Sequence, residues 1–256
     1  MSCQRIDLTT PQPSFFVAGA TGYTGQAVVA AAAQQRIPVV AHIRPNSIAG
    51  ERLHPDFINR GAHVESCPWH DATIHNALQR HQPSHIFALL GTTRARSRAE
   101  RRAGQSPSTY ATVDVALTVK LMQAAQQLQK PPTFIYLSSM GAGSPRPNAY
   151  LAARQQVEQA LQESQLPWII ARPSFISGPN RDQRRIGERV GAVFTDKTLS
   201  VLGALGASRL RQRFRSITNH QLAHALIRLA LNPDATNQIH ESNALQQLIG
   251  GQHNAC

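Results

Sequence analysis

Short apolar runs alternate along this chain with longer stretches of helical period. Residues 14–19, SFFVAG, form the first run. The alanine-rich GYTGQAVVAAAAQQR that follows reads as a helix. IPVVAHIR (37–44) and AHVESC (62–67) predict a second and a third strand, and no element is assigned between them. DATIHNALQRH (71–81) predicts a helix and SHIFALLG (84–91) a fourth strand. Beyond a polar, arginine-rich loop come a long helix over about 107–129, a strand at 133–139 (TFIYLSS), a helix opening at NAYLAAR and a sixth strand at 167–173. The alternation then weakens. FRSITNHQLAHALIRLALNP (214–233) predicts a short strand and an amphipathic helix capped by Thr218 or Asn219, and QIHES (238–242) a last strand.

Strands that are apolar on both faces, alternating with helices, predict a parallel sheet covered on both sides. Right-handed crossovers make this a doubly wound, Rossmann-type α/β fold. The expected layout is a polar, flexible arm over 1–13 and a single domain over 14–256. Within that domain, 14–173 forms the core and 174–256 a small C-terminal, substrate-side elaboration.

The first strand runs directly into GATGYTG, with Gly19, Gly22 and Gly25 at G-x-x-G-x-x-G spacing. Between a strand and a helix, this pattern points to a dinucleotide site. The first glycine permits the tight turn, the second lets a pyrophosphate approach the backbone, and the third lets the helix pack on the strand. The helix N-terminus, through Thr21, Tyr23 and Thr24, offers free N–H groups and a positive dipole end to phosphates. The second strand ends in AHIRPNS, with no acid to take ribose hydroxyls. Arg44 stands there instead. It suits a 2′-phosphate, so NADP(H) is expected ahead of NAD(H); the plain alternative is a solvated strand-end charge. Asp71, after the third strand, could meet the adenine or cap its helix.

Charge adds one question. The net charge is +12, carried almost wholly by arginine, with lysine only at 120, 130 and 197. Clusters at 94–102, 181–189 and 209–215 hold a single aromatic, Phe214, and no zinc-finger or helix-turn-helix spacing, so nucleic acid is not the expected partner. An arginine-rich lineage explains the charge as well as an anionic ligand does. His70, His75, His81 and His85 lack metal-ligand spacing, and no metal is expected from them. Three scattered cysteines, no secretory leader and no long apolar run fit a cytoplasmic protein without a membrane segment.

GATGYTG, LLGTTR (89–94), YLSSMGA (136–142), YLAAR (150–154) and ARPSFISGP (171–179), taken in order, resemble the atypical short-chain dehydrogenase/reductase superfamily. More narrowly they look like its Tat-interacting-protein-type oxidoreductase branch. The resemblance covers residues 14–180 well and the remainder only in outline. It implies that Tyr150 is the general acid towards a substrate carbonyl, with Ser139 or its neighbour Ser138 bonding the same oxygen. It also implies that the cation four residues after the tyrosine is lysine. Here that cation is Arg154, on the same helix face as Tyr150. Arginine keeps the charge but cannot pass a proton onward. Leu90, Gly91, Thr92, Thr93 and Arg94 are expected at the cofactor's ribose and nicotinamide, and Pro173 and Ser174 at its carboxamide. Asp114 stands near where many relatives place an asparagine. Arg172 suits a structural ion pair as well as a substrate contact.

Two functions follow. The first is an NADPH-dependent reductase of a small-molecule carbonyl compound, anionic if the arginines of 94–102 and 181–189 overhang the crevice. The second is an NADP(H)-binding sensor whose chemistry is weak or lost. Monomer and homodimer stand open.

Overall fold

The seven principal strands expected from the sequence pair side by side in one sheet. The computed structural model describes residues 12–92, 101–102, 104, 109–177 and 216–250. In chain order it contains β1 (Phe15–Ala18), α1 (Tyr23–Gln34), β2 (Val39–Ile43), α2 (Ile48–Asn59), β3 (His63–Ser66), α3 (Asp71–His81) and β4 (His85–Ala88). A π-helical turn (Tyr110–Val115) then runs into α4 (Ala116–Gln126), followed by β5 (Thr133–Leu137), α5 (Ala149–Gln162), β6 (Trp168–Arg172) and β7 (Ile176–Ser177). The chain continues through β8 (Ile217–Thr218), α6 (Asn219–Ala230), a short 3₁₀ turn, β9 (Gln238–Glu241) and α7 (Ser242–Gly250).

The sheet order is β3-β2-β1-β4-β5-β6-β9, and every pairing is parallel. The order reverses between β1 and β4. In such sheets, the crevice outside the carboxyl ends of these two strands is where ligands bind. β7 and β8 form a separate parallel pair.

Burial explains the run-like strand sequences. All four residues of β1 are inaccessible, with Phe15 and Val17 facing one hydrophobic cluster and Phe16 and Ala18 the other. The first cluster lies under α1, α2 and α6, the second under α3, α4 and α5. Alanines 27, 31 and 32 of α1 are buried, and their small side chains let α6 approach closely. Thr218 caps α6: its Oγ1 accepts from the Gln221 N–H at 3.2 Å, and the Gln221 side chain accepts from the Thr218 N–H at 3.0 Å.

Two helices escape the sequence pattern. α2 buries only Gly50 and Phe57 and contains Pro55, so it shows almost no apolar stripe. Its start is fixed locally by Ser47, whose side chain accepts from the Gly50 N–H at 3.2 Å. α7 follows β9 without a connecting residue, where the sequence suggests only a strand. The long helix expected at 107–129 is interrupted at its start by the π-helical turn, which carries Asp114 inward. Turns of this kind are frequent at functional sites.

His42 on β2 is 3% exposed, bonded to the Cys67 carbonyl at 3.0 Å and edge-on to Trp69. Burial pulls its pKa down to about 4, against weaker upward pulls from the Cys67 carbonyl and Glu65. An unfolded histidine titrates near 6.5. The unfolded chain therefore takes up the proton first as pH falls. Stability contributed by neutral His42 is complete above about pH 6.5 and is lost towards pH 4, a loss of roughly 3 kcal/mol. Urea melts of the protein and of His42→Gln should show the variant losing this part of the pH slope. An unchanged slope would remove His42 as its source.

Candidate active site

The glycine loop has the geometry its spacing demands. Gly19 has φ +87°, and a Cβ there would lie 2.7 Å from the Leu89 carbonyl oxygen on the neighbouring strand end. A Cβ on Gly25 would lie 2.1 Å from the Gly19 oxygen, so only glycine lets α1 seat against the loop. Gly22 is exposed and is the N-cap of α1, and no side chain caps the helix. The N-terminal turn of α1 thus opens at the crevice end of β1, with its N–H dipoles pointing towards that crevice. The Gln26 side chain donates to the Thr21 carbonyl at 2.9 Å, and the Tyr23 hydroxyl donates to the Ser177 carbonyl at 3.2 Å. The loop is thus tied to the C-terminal segment, also through Asn219 Nδ2 to the Tyr23 carbonyl at 3.3 Å.

Arg44 follows β2 and is exposed. It lines an open space of about 510 Å³ together with Asn46, Ser47, His54, Ser66 and the single acid Glu51. Asp71 is the first residue of α3, one place after the N-cap His70, and accepts from Lys120 Nζ of α4 at 2.5 Å.

Past β4 the chain meets a buried ion pair. Arg154 Nη2 lies 2.9 Å from Asp114 Oδ1, with side-chain exposures of 6% and 0%. Arg154 Nη1 also donates to the Leu137 carbonyl at 2.9 Å and the Tyr136 hydroxyl at 3.1 Å, and both Nη atoms reach the Leu90 carbonyl at 3.4–3.5 Å. The second oxygen of Asp114 accepts from the Thr92 N–H at 2.9 Å. Gly91 roofs the pair: a Cβ there would lie 3.1 Å from Arg154 Nη2. Burial alone would lower the Arg154 pKa. Tyr136, Tyr150 and Asp114 around it outweigh that and hold it above the ordinary value, so it stays charged. Burial likewise pushes Tyr136 up to about 12, so its phenol stays neutral.

Tyr150 sits in the first turn of α5, whose N-cap Asn148 accepts from the Leu151 N–H at 2.9 Å. It is 9% exposed, edge-on to Tyr110, with the Arg154 guanidinium carbon 5.2 Å from its ring centroid. The pairing expected at i and i+4 is therefore present, but the charge is shared with Asp114, Tyr136 and two strand-end carbonyls.

Alternation at the end of β5 separates the two serines. Ser138 is buried and donates to Glu158, which Arg172 grips with two bonds of 3.0 and 2.6 Å; Arg172 also reaches Glu241 at 2.9 Å. Ser138 and Arg172 thus belong to a network joining β5, α5, β6 and β9. Ser139 is half-buried, its hydroxyl only 3.5 Å from the Met140 carbonyl. The Pro173 carbonyl accepts from the Met140 N–H at 3.0 Å, and Ser174 Oγ accepts from Ser242 Oγ at 2.9 Å. Thr93 and Arg94 lie outside the described residues, as do residues 181–189 and 209–215.

The residues present fit a dinucleotide. The glycine cradle and the helix end without a side-chain cap sit beside Thr92, whose buried Oγ1 has no hydrogen-bond partner among the described residues. In the sequence the signal for Asp114 is its being the one charge in YATVDVALTV (110–119), the segment leading into α4.

A family profile described as NAD(P)H-binding matches residues 19–233. No curated protein matches this sequence. Among solved structures, a provisional NAD-dependent epimerase/dehydratase of Bacillus halodurans is 16% identical over 92% of this chain and 99% of that one, with a TM-score of 0.63. AtPrR2, solved with NADP+ and (+)pinoresinol, is 14% identical over 93% and 75% of the two chains, at 0.62. A provisional epimerase of Burkholderia cenocepacia J2315 is 15% identical over 94% and 81%, at 0.58. These structures share the fold, and the profile spans both the glycine loop and the tyrosine helix. The chain belongs to the NAD(P)H-binding family of Rossmann-fold proteins, in keeping with the atypical short-chain dehydrogenase/reductase resemblance of its motifs.

Proposed function

We propose that this protein reduces a carbonyl group of a small molecule at the expense of NADPH. The observation that carries the reading is Tyr150, held in the first turn of α5 with a permanent cation 5.2 Å from its ring, while Ser139 after β5 is not drawn into the buried network that claims Ser138. The dinucleotide would lie on the glycine loop, the Thr92 hydroxyl and the end of β2. When bound, its reduced nicotinamide supplies the hydride to the carbonyl carbon. Ser139 donates a hydrogen bond to the carbonyl oxygen, and the Tyr150 hydroxyl gives that oxygen its proton. The phenolate left behind is stabilised by Arg154 and recovers a proton from solvent. Reduction starts from a neutral phenol, so a cation partly neutralised by Asp114 suits this direction better than alcohol oxidation.

Arg44 supports NADPH over NADH. Its guanidinium pairs a 2′-phosphate by charge-assisted bonds. Arg44→Ala should raise the Kd for NADPH about 10–100-fold, the size of one such contact, and leave NADH within about threefold. Equal loss for both nucleotides would remove the 2′-phosphate role.

The same ion pair favours a second reading, a nucleotide-binding sensor with little turnover. NADPH oxidation against a panel of aldehydes and ketones, neutral and carboxylated, separates the two. Turnover that needs Tyr150 supports the reductase. Tight NADPH binding without turnover on any member supports the sensor.

A further inference from the structure

At the end of the sheet away from the nucleotide crevice, β3 and α3 bring together three side chains unused by the reading above. β3 is an edge strand, and its pleat puts His63 and Glu65 on one face. α3 ends at His81 over that face. One donor atom from each of His63, Glu65 and His81 lies within 4.8 Å of the others. The two imidazoles stand 4.7 Å apart between centroids, with planes at 55°. Glu65 Oε2 is 2.8 Å from His81 Nε2, and its other oxygen accepts from Arg80 at 2.9 Å.

We infer that His63, Glu65 and His81 form a binding site for a divalent cation of the zinc class, with three protein ligands and a fourth position open to solvent. Two imidazole nitrogens and one carboxylate oxygen form a donor set suited to zinc. Donors bound to one tetrahedral zinc lie roughly 3.3 Å apart, so small side-chain rotations close the present arrangement. The Glu65–His81 hydrogen bond accounts for two of the three residues. It leaves His63, whose side chain makes no hydrogen bond among the described residues and meets His81 only ring to ring, with a nitrogen to offer the same point in space. Arg80 competes with a cation for the Glu65 carboxylate, but only from the outside. Its side chain is 58% exposed and can turn to water as the cation takes over the Glu65 charge. The bound ion would clip the edge strand to the end of α3, while the open position could accept a ligand from solvent.

The test uses untagged, chelator-treated full-length protein titrated calorimetrically with Zn(II), and with Co(II) for its visible ligand-field absorption. The expected result is one Zn(II) per chain, low-coordinate Co(II) absorption, and a Tm that rises with Zn(II) but not Mg(II). His63→Ala and His81→Ala should each weaken Zn(II) binding at least tenfold, and Arg80→Ala should not weaken it. Circular dichroism of the metal-free variants verifies that they fold. No saturable Zn(II) binding, or binding that persists in either histidine variant, overturns the site.

Discussion

Asp114→Ala is expected to lower stability by about 3–5 kcal/mol, the range seen when one member of a buried ion pair is removed. The cause is what remains. Arg154, held charged by its surroundings, would keep two carbonyls and a phenol as partners but lose its counterion in a site only 6% exposed. The Thr92 N–H would lose its acceptor as well, which places the loss towards the upper end of that range. The damage should extend to ligand binding, because Asp114 holds the backbone after β4 where it forms the crevice wall. Urea denaturation reads the first effect and nucleotide titration the second. Asp114→Asn, which keeps an acceptor for Thr92, should be markedly milder. The double variant Asp114→Leu/Arg154→Met should recover much of the stability, since replacing both charges by apolar groups leaves neither uncompensated. If Asp114→Ala melts like the parent protein, the ion pair is not what holds this wall.

Tyr150→Phe should reduce kcat for carbonyl reduction by about 10²–10⁴-fold, the usual worth of a positioned general acid. The substitution keeps the ring that packs on Tyr110 and Arg154, so stability and nucleotide affinity should change little. That separation makes the experiment informative: a loss confined to kcat marks an interaction made in the transition state. A variant that turns over as fast as its parent would take the proton-donor role from Tyr150.

Much of this could be read from the chain, and the exceptions share a cause. β1 and the glycine loop were legible because a strand buried on both faces is a continuous apolar run, and because Gly19 and Gly25 sit where any side chain would strike backbone. The start of α6 was legible as a cap at Thr218 or Asn219, and the structure makes it Thr218, with Gln221 closing the capping box. α2 stayed hidden because it buries too little to write a stripe. The cation of the candidate site shows the limit most clearly. The spacing of Tyr150 and Arg154 placed them on one helix face, and the contact is there. Spacing could not show that the guanidinium also meets Asp114, forty residues earlier on another helix. The two serines are a milder case. Alternation said that only one faces the crevice, and Glu158, Arg172 and Glu241, gathered from three elements, claim Ser138 for the network beneath it.

The central claim is that the crevice between β1 and β4 holds a nicotinamide dinucleotide, and a fluorescence titration with NADPH, with NADH as comparison, tests it most directly. Saturable binding that is tighter for NADPH is the predicted result. Saturation by neither nucleotide would contradict it, and would leave the glycine loop as a packing device alone.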